Sequence, residues 1–180
     1  MVLDNNAWNF LFDRHIDLAF EFPVEAFALF IPREVEIEKD AIPDDDSRRL
    51  LKEYIRHSIE ACGIKTTYVF GYALPAGQLQ RHGGFGQGPF QSPTEREFYA
   101  LIAERFLIGK GERSSGLTAN EADAAVAAQS FFSVVLTCEK PQKAGPLREA
   151  AQLGGKVLYL QGFDKSGRSL REYVTTFEGA

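Results

Sequence analysis

The segment MVLDNNAWNFLF, residues 1–12, decides how the rest of the chain is read. Met1 to Leu3 are apolar and read as the end of a short buried strand. Asp4, Asn5 and Asn6 then interrupt, and the apolar pattern resumes at Ala7, Trp8, Phe10 and Leu11. An acid at this point has two readings. In one, Asp4 or Asn6 caps the following helix, because short polar side chains accept hydrogen bonds from the orphan amides of a first turn. In the other, Asp4 is a ligand-binding carboxylate, because open α/β sheets bind ligands outside the carboxyl ends of their strands. The choice turns on where the other acids fall.

Working outward, strands alternate with helices. FALFI (27–31) is a short apolar run ended by Pro32, and REVEIEKDAI (33–42) carries Val35, Ile37, Ala41 and Ile42 at helical spacing. With Asp46 or Ser47 as N-cap, RRLLKEYIRHSIEAC (48–62) sets Leu50, Leu51, Tyr54, Ile55, Ser58 and Ile59 on one stripe that stops at Gly63. A third strand is expected at 68–72, reached through IKTT. Residues 73–93, rich in Gly, Pro and Gln, read as a loop inserted into the fold. A helix is expected from about Thr94 to Leu107, then a turn through GKGERSSG (109–116), then a helix opened by Thr118. SVVLT (133–137) and KVLYL (156–160) read as the last two strands. This order predicts a single α/β domain over 1–180, a three-layer α/β/α Rossmann-like sandwich with a mainly parallel central sheet.

Composition excludes several alternatives. With 44% hydrophobic and 25% charged residues, a chain of 180 residues can bury a full core without disulfides or structural zinc. Cys62 and Cys138 are isolated, and His15, His57 and His82 share no metal-ligand spacing. No apolar run reaches the length of a membrane span, and no signal-peptide pattern is seen, so a cytoplasmic location is expected. The net charge of −5 argues against coating nucleic acid by bulk charge, although bound divalent cations and local basic patches still allow it. GGFGQG lacks the third glycine of a dinucleotide fingerprint. His82-Gly83-Gly84 has no G-x-S-x-G nucleophile to serve. Phe85 and Phe90 read as base-stacking or partner-binding aromatics.

Acids recur where strands end. Asp4 follows the first. Glu34, Glu36 and Glu38 follow the second, with Glu34 and Glu38 on one helical face. In TANEADAAVAAQS (118–130), Thr118 and Glu121 read as a capping box. Asp123 has no such local explanation. Glu139 follows the SVVLT strand. Carboxylates gathered from separate strands suit Mg²⁺, which binds through one or two carboxylates, waters and phosphate oxygens. Such an ion supports phosphodiester hydrolysis. Arg48, Arg49, Lys52 and Arg56, of which Arg48, Lys52 and Arg56 align at four-residue spacing on one helical face, are the candidate RNA contacts.

The succession V-L-D-N-N, I-P-R-E-V-E-I-E, E-A-D-A-A-V-A-A-Q-S and V-V-L-T-C-E, over roughly residues 2–162, resembles the PIN-domain family of metal-dependent ribonucleases. That family includes the toxins of bacterial toxin-antitoxin pairs. The resemblance implies a Rossmann-like fold and a Mg²⁺ or Mn²⁺ site with Asp4, Glu38, Asp123 and Glu139 as ligands. It selects Glu38 over Glu34 and Glu36. It also implies that Asn6 and Thr137 orient metal-bound water or phosphate. RNA as substrate, an antitoxin-like protein partner and a homodimer follow as expectations. The alternative is a non-catalytic PIN-like module that binds RNA or a protein partner. A nucleotide-binding doubly wound protein is a weaker rival. Three departures stand out: Glu139 in place of the commoner Asp, the long segment 73–93, and net acidity.

Overall fold

The computed structural model describes residues 1–69, 82–83 and 88–178. Five strands form one parallel sheet: β1 (Val2–Leu3), β2 (Phe30–Pro32), β3 (Lys65–Thr67), β4 (Val135–Thr137) and β5 (Val157–Tyr159). Their order across the sheet is β3-β2-β1-β4-β5. The chain thus runs outward from β1 to β3 and then crosses back to lay β4 on the free side of β1. Right-handed crossovers in opposite directions place their helices on opposite faces.

The crossover helices follow this rule, except the first helix after β2, which packs on the opposite face from the second. On one face α1 (Ala7–Asp13) and α2 (Leu18–Glu21) pack against α4 (Arg49–Ala61). On the other, α6 (Glu121–Gln129) lies on β1, β2 and β4. It gathers α3 (Arg33–Asp40), α5 (Pro93–Ile102) and α7 (Pro146–Gln152) around it. Ala122, Ala124, Ala125, Val126, Ala127 and Ala128 are all buried. Small side chains on every side let one helix approach the sheet and three helices at once. The α/β/α sandwich expected from the alternation of elements is therefore the observed architecture. Among the described residues no helix is long and apolar enough to cross a membrane.

Several boundaries differ from expectation. The third strand is Lys65–Thr67, the stretch read as a connection into a strand at 68–72. Among the described residues it is the edge strand of the sheet, so β-branched threonines suffice and an apolar run is not needed. Residues 70–81 and 84–87, most of the expected loop insertion at 73–93 and Phe85 with it, lie outside the described residues. The helix expected at 94–107 ends at Ile102 and continues as a π-helical turn, Ala103–Leu107. Leu50, placed on the buried stripe of α4, is exposed in the first turn of a helix that begins at Arg49 and whose buried residues are Ile55 and Ser58. Asp45, not Asp46 or Ser47, receives the Ser47 hydroxyl and the Arg48 amide before that helix. The 118–121 capping box is half formed. Glu121 accepts from the Thr118 amide at 2.8 Å, but the Thr118 hydroxyl donates to the same carboxylate at 3.0 Å. The helix then starts after Asn120, in a left-handed conformation (φ 66°).

Three helices escaped the sequence reading, the four-residue α2 and two longer ones. α7 supplies the crossover that parallel β4 and β5 require. α8 (Leu170–Glu178) follows a 3-10 stretch, Leu160–Lys165, and is opened by a reciprocal cap in which Ser169 and Glu172 each accept the other's amide. A cleaner cap opens α5: Ser92 Oγ accepts from the Glu95 amide, and Glu95 accepts from the Ser92 amide at 2.7 Å. Replacing Ser92 by Ala is expected to cost about 1 kcal/mol. Thermal unfolding should register this as a loss of about 2–4 °C.

Candidate active site at the carboxyl ends of β1 and β4

Because the strand order reverses between β1 and β4, the crevice beyond their carboxyl ends is the switch point of the sheet, where open α/β sheets bind ligands. Leu3 is in register with Leu136, which sets Asp4 beside Thr137. Thr137 Oγ1 donates to Asp4 Oδ2 at 2.6 Å and accepts from the Glu139 amide at 3.0 Å. Asn6 Oδ1 accepts from the Cys138 amide at 2.6 Å. A single hydroxyl and a single carboxamide thus tie the two strand ends together. This disposes of the capping reading of Asp4: α1 begins after Asn6 with no side-chain cap.

Asp4 is 2% exposed and Glu139 7%. Burial is the main force on Asp4, raising its pKa from 3.8 to about 7. The Thr137 hydroxyl and the Asn5 amide oppose the rise, and the fields of Asp123 and Glu139 add to it. Burial also holds Glu139 above the usual carboxylate range, against the pull of its hydrogen bond from Lys143. Asp123 projects from the first turn of α6, a position the helix dipole favours for an acid. Its charge is felt by Asp4, Glu139 and Lys143, so three of the four expected acids share one electrostatic neighbourhood. Among the described residues nothing hydrogen-bonds to the Asp123 carboxylate.

Glu38 reaches the same rim differently. The Asn5 side-chain Nδ2 donates to it at 3.3 Å, and Arg113 forms an ion pair with it. Glu36 is engaged by Arg33 at 2.5 Å and by Thr66 Oγ1 at 2.8 Å. Asn5, Arg113 and Lys143 were not singled out from the sequence. Lys143 stands four residues after Glu139 but in a turn, where that spacing predicts no contact, and Arg113 is 75 residues from its partner. Burial, followed by the charge of Asp4, pushes the Cys138 thiol up to about 12. It is therefore no thiolate nucleophile at neutral pH.

The basic trio is elsewhere. Lys52 bonds to Asp44 at 3.2 Å and to the Ile42 carbonyl, and with Arg56 lines a cleft of about 530 Å³ between α3 and α4. Arg48 is exposed. The structure gives none of the three a bond to Asp4, Glu38, Asp123 or Glu139.

Among the described residues no three His, Cys, Asp or Glu side chains close on one ion together. The four acids are thus not a cage. Mg²⁺ and Mn²⁺ need less, since Mg²⁺ is held by one or two carboxylates with waters completing the shell. Two buried carboxylates and a third beside them, against the single ammonium of Lys143, leave an excess of negative charge that such an ion would neutralise. The residues fit a hydrated ion on Asp4 and Asp123.

Comparison with protein-family models, with curated proteins and with solved structures finds no match to this chain.

Proposed function

We propose that this protein is a PIN-like endoribonuclease that hydrolyses RNA phosphodiester bonds with Mg²⁺ or Mn²⁺ held by Asp4 and Asp123, with Glu139 and Glu38 completing the acid rim. The observation that carries the reading is the burial of Asp4 and Glu139 at the β1/β4 switch point, close to Asp123. Buried like charges are costly unless a cation or a proton compensates them. When bound, the ion supplies a water of lowered pKa and neutralises charge growing on the phosphate.

The chain's own groups do the rest. Thr137 fixes the Asp4 carboxylate by donating to Oδ2, and must keep doing so when Asp4 is ionised. Asn6 spends its carbonyl on the Cys138 amide, which leaves its NH₂ to meet a phosphate oxygen. Arg48, Lys52 and Arg56, an antitoxin-like partner and a homodimer belong to the same reading as RNA contacts and assembly.

The second reading, a non-catalytic PIN-like module binding RNA or a protein, is favoured by one observation. Glu139 and Glu38 already have protein cations, Lys143 and Arg113. A labelled mixed-sequence RNA separates the two. Cleavage is expected in millimolar Mg²⁺ or Mn²⁺ and none with chelator. If the parent shows no metal-dependent cutting and Asp4→Asn behaves identically, the binding module stands instead.

A further inference from the structure

We propose that Lys143, held by Glu139, is the internal counter-cation of the acid site, and that its charge sets how tightly a divalent cation binds there. This rests on the metal-site reading above. The two ends of the ion pair differ in freedom. The Glu139 side chain is 4% exposed and its amide is anchored on Thr137 Oγ1, so the carboxylate is fixed. The Lys143 side chain is 56% exposed and enters from the turn between β4 and α7, so its ammonium can leave without unpacking the core. That ammonium also feels Asp123 and Asp4, the two acids assigned to the ion. An ammonium and a divalent cation in one small site repel each other. Removing the ammonium therefore strengthens cation binding, because the ion meets a more negative field. The exposed half of the pair is screened by solvent, which limits the gain.

The test is Mn²⁺ binding to the whole chain near pH 8, followed by calorimetry and by the rise in melting temperature. Neither readout needs turnover. Lys143→Met keeps most of the stem and should bind Mn²⁺ roughly five- to tenfold tighter than the parent. Lys143→Gln should agree with it, and Lys143→Arg should restore parental affinity. Lys140→Met removes the same charge from a neighbouring exposed residue that has no ion pair with Glu139, and should change affinity less than twofold. Unchanged or weaker binding by Lys143→Met and Lys143→Gln overturns the proposal, as does an equal gain from Lys140→Met. If neither parent nor variant binds Mn²⁺, the metal reading falls and takes this one with it. A parent that binds Mn²⁺ beside unaltered Lys143 variants overturns the role of Lys143 alone.

Discussion

Replacing Asp4 by Asn should raise the melting temperature of the metal-free protein above pH 7, by roughly 4–8 °C. The Asp4 carboxyl is lifted from 3.8 to about 7, chiefly by burial. A shift of that size is on the order of 4 kcal/mol of penalty on the ionised form. Some of this is lost again, because Asn also brings a polar group into a buried site. A net gain of about 2 kcal/mol gives the stated range for a chain of this size. The sign follows from proton counting. Between about pH 4 and 7 the unfolded chain has released the Asp4 proton while the folded chain keeps it, so stability falls as pH rises and the full penalty stands above 7. The gain from Asn should therefore be small near pH 4 and complete near pH 8. The hydrogen bond from Thr137 survives, since Asn Oδ1 can accept it. Melting curves at the two pH values check this. A variant that is less stable at both would mean that the ionised carboxylate is already neutralised by the protein itself.

Asp123→Asn should lower Mn²⁺-dependent RNA cleavage by roughly 100- to 1000-fold, the scale for removing one preorganised electrostatic group from an active site. It should also remove most of the stabilisation that Mn²⁺ confers on the parent, which is about 2.7 kcal/mol when the ion is at a hundred times its Kd. Because metal and proton compete for Asp4, that stabilisation should weaken by roughly tenfold in apparent affinity for each pH unit below 7. Cleavage assays beside melting curves, with and without Mn²⁺, keep the effects apart. Full activity in Asp123→Asn would remove this residue from the site.

The acids were easier to find in the sequence than their partners. Asp4 and Glu139 follow short apolar runs, and a run that stops at an acid marks a strand end without knowledge of any neighbour. Asp123 stands out because the surrounding ADAAVAA leaves no local use for a carboxylate. The groups that position or neutralise them come from tertiary folding, so no local pattern points to them. Arg113 comes from a turn, Lys143 from a bend, and Asn5 differs from Asn6 only by which way the chain leaves β1. The same holds for the fold. Alternating strands and helices were enough for the sandwich. The edge strand β3 was misplaced because KTT is polar, and α7 was missed because PLREAAQ is short and lies between two strands. Ser169 and Glu172 did offer a capping signal for α8, which the reading of KVLYL as a last element passed over.

β1 is two residues long, lies at the middle of the sheet, and precedes every other strand in chain order. Its hydroxyl link to β4 closes over 133 residues. Contacts of such high sequence separation form slowly, because the chain entropy lost in closing the loop precedes any gain. The crevice between β1 and β4 cannot exist until β4 has been synthesised and docked. Any activity that depends on it is therefore withheld from nascent and partly folded chains, and Asp4 waits in water, ionised at its ordinary pKa, until the sheet closes around it.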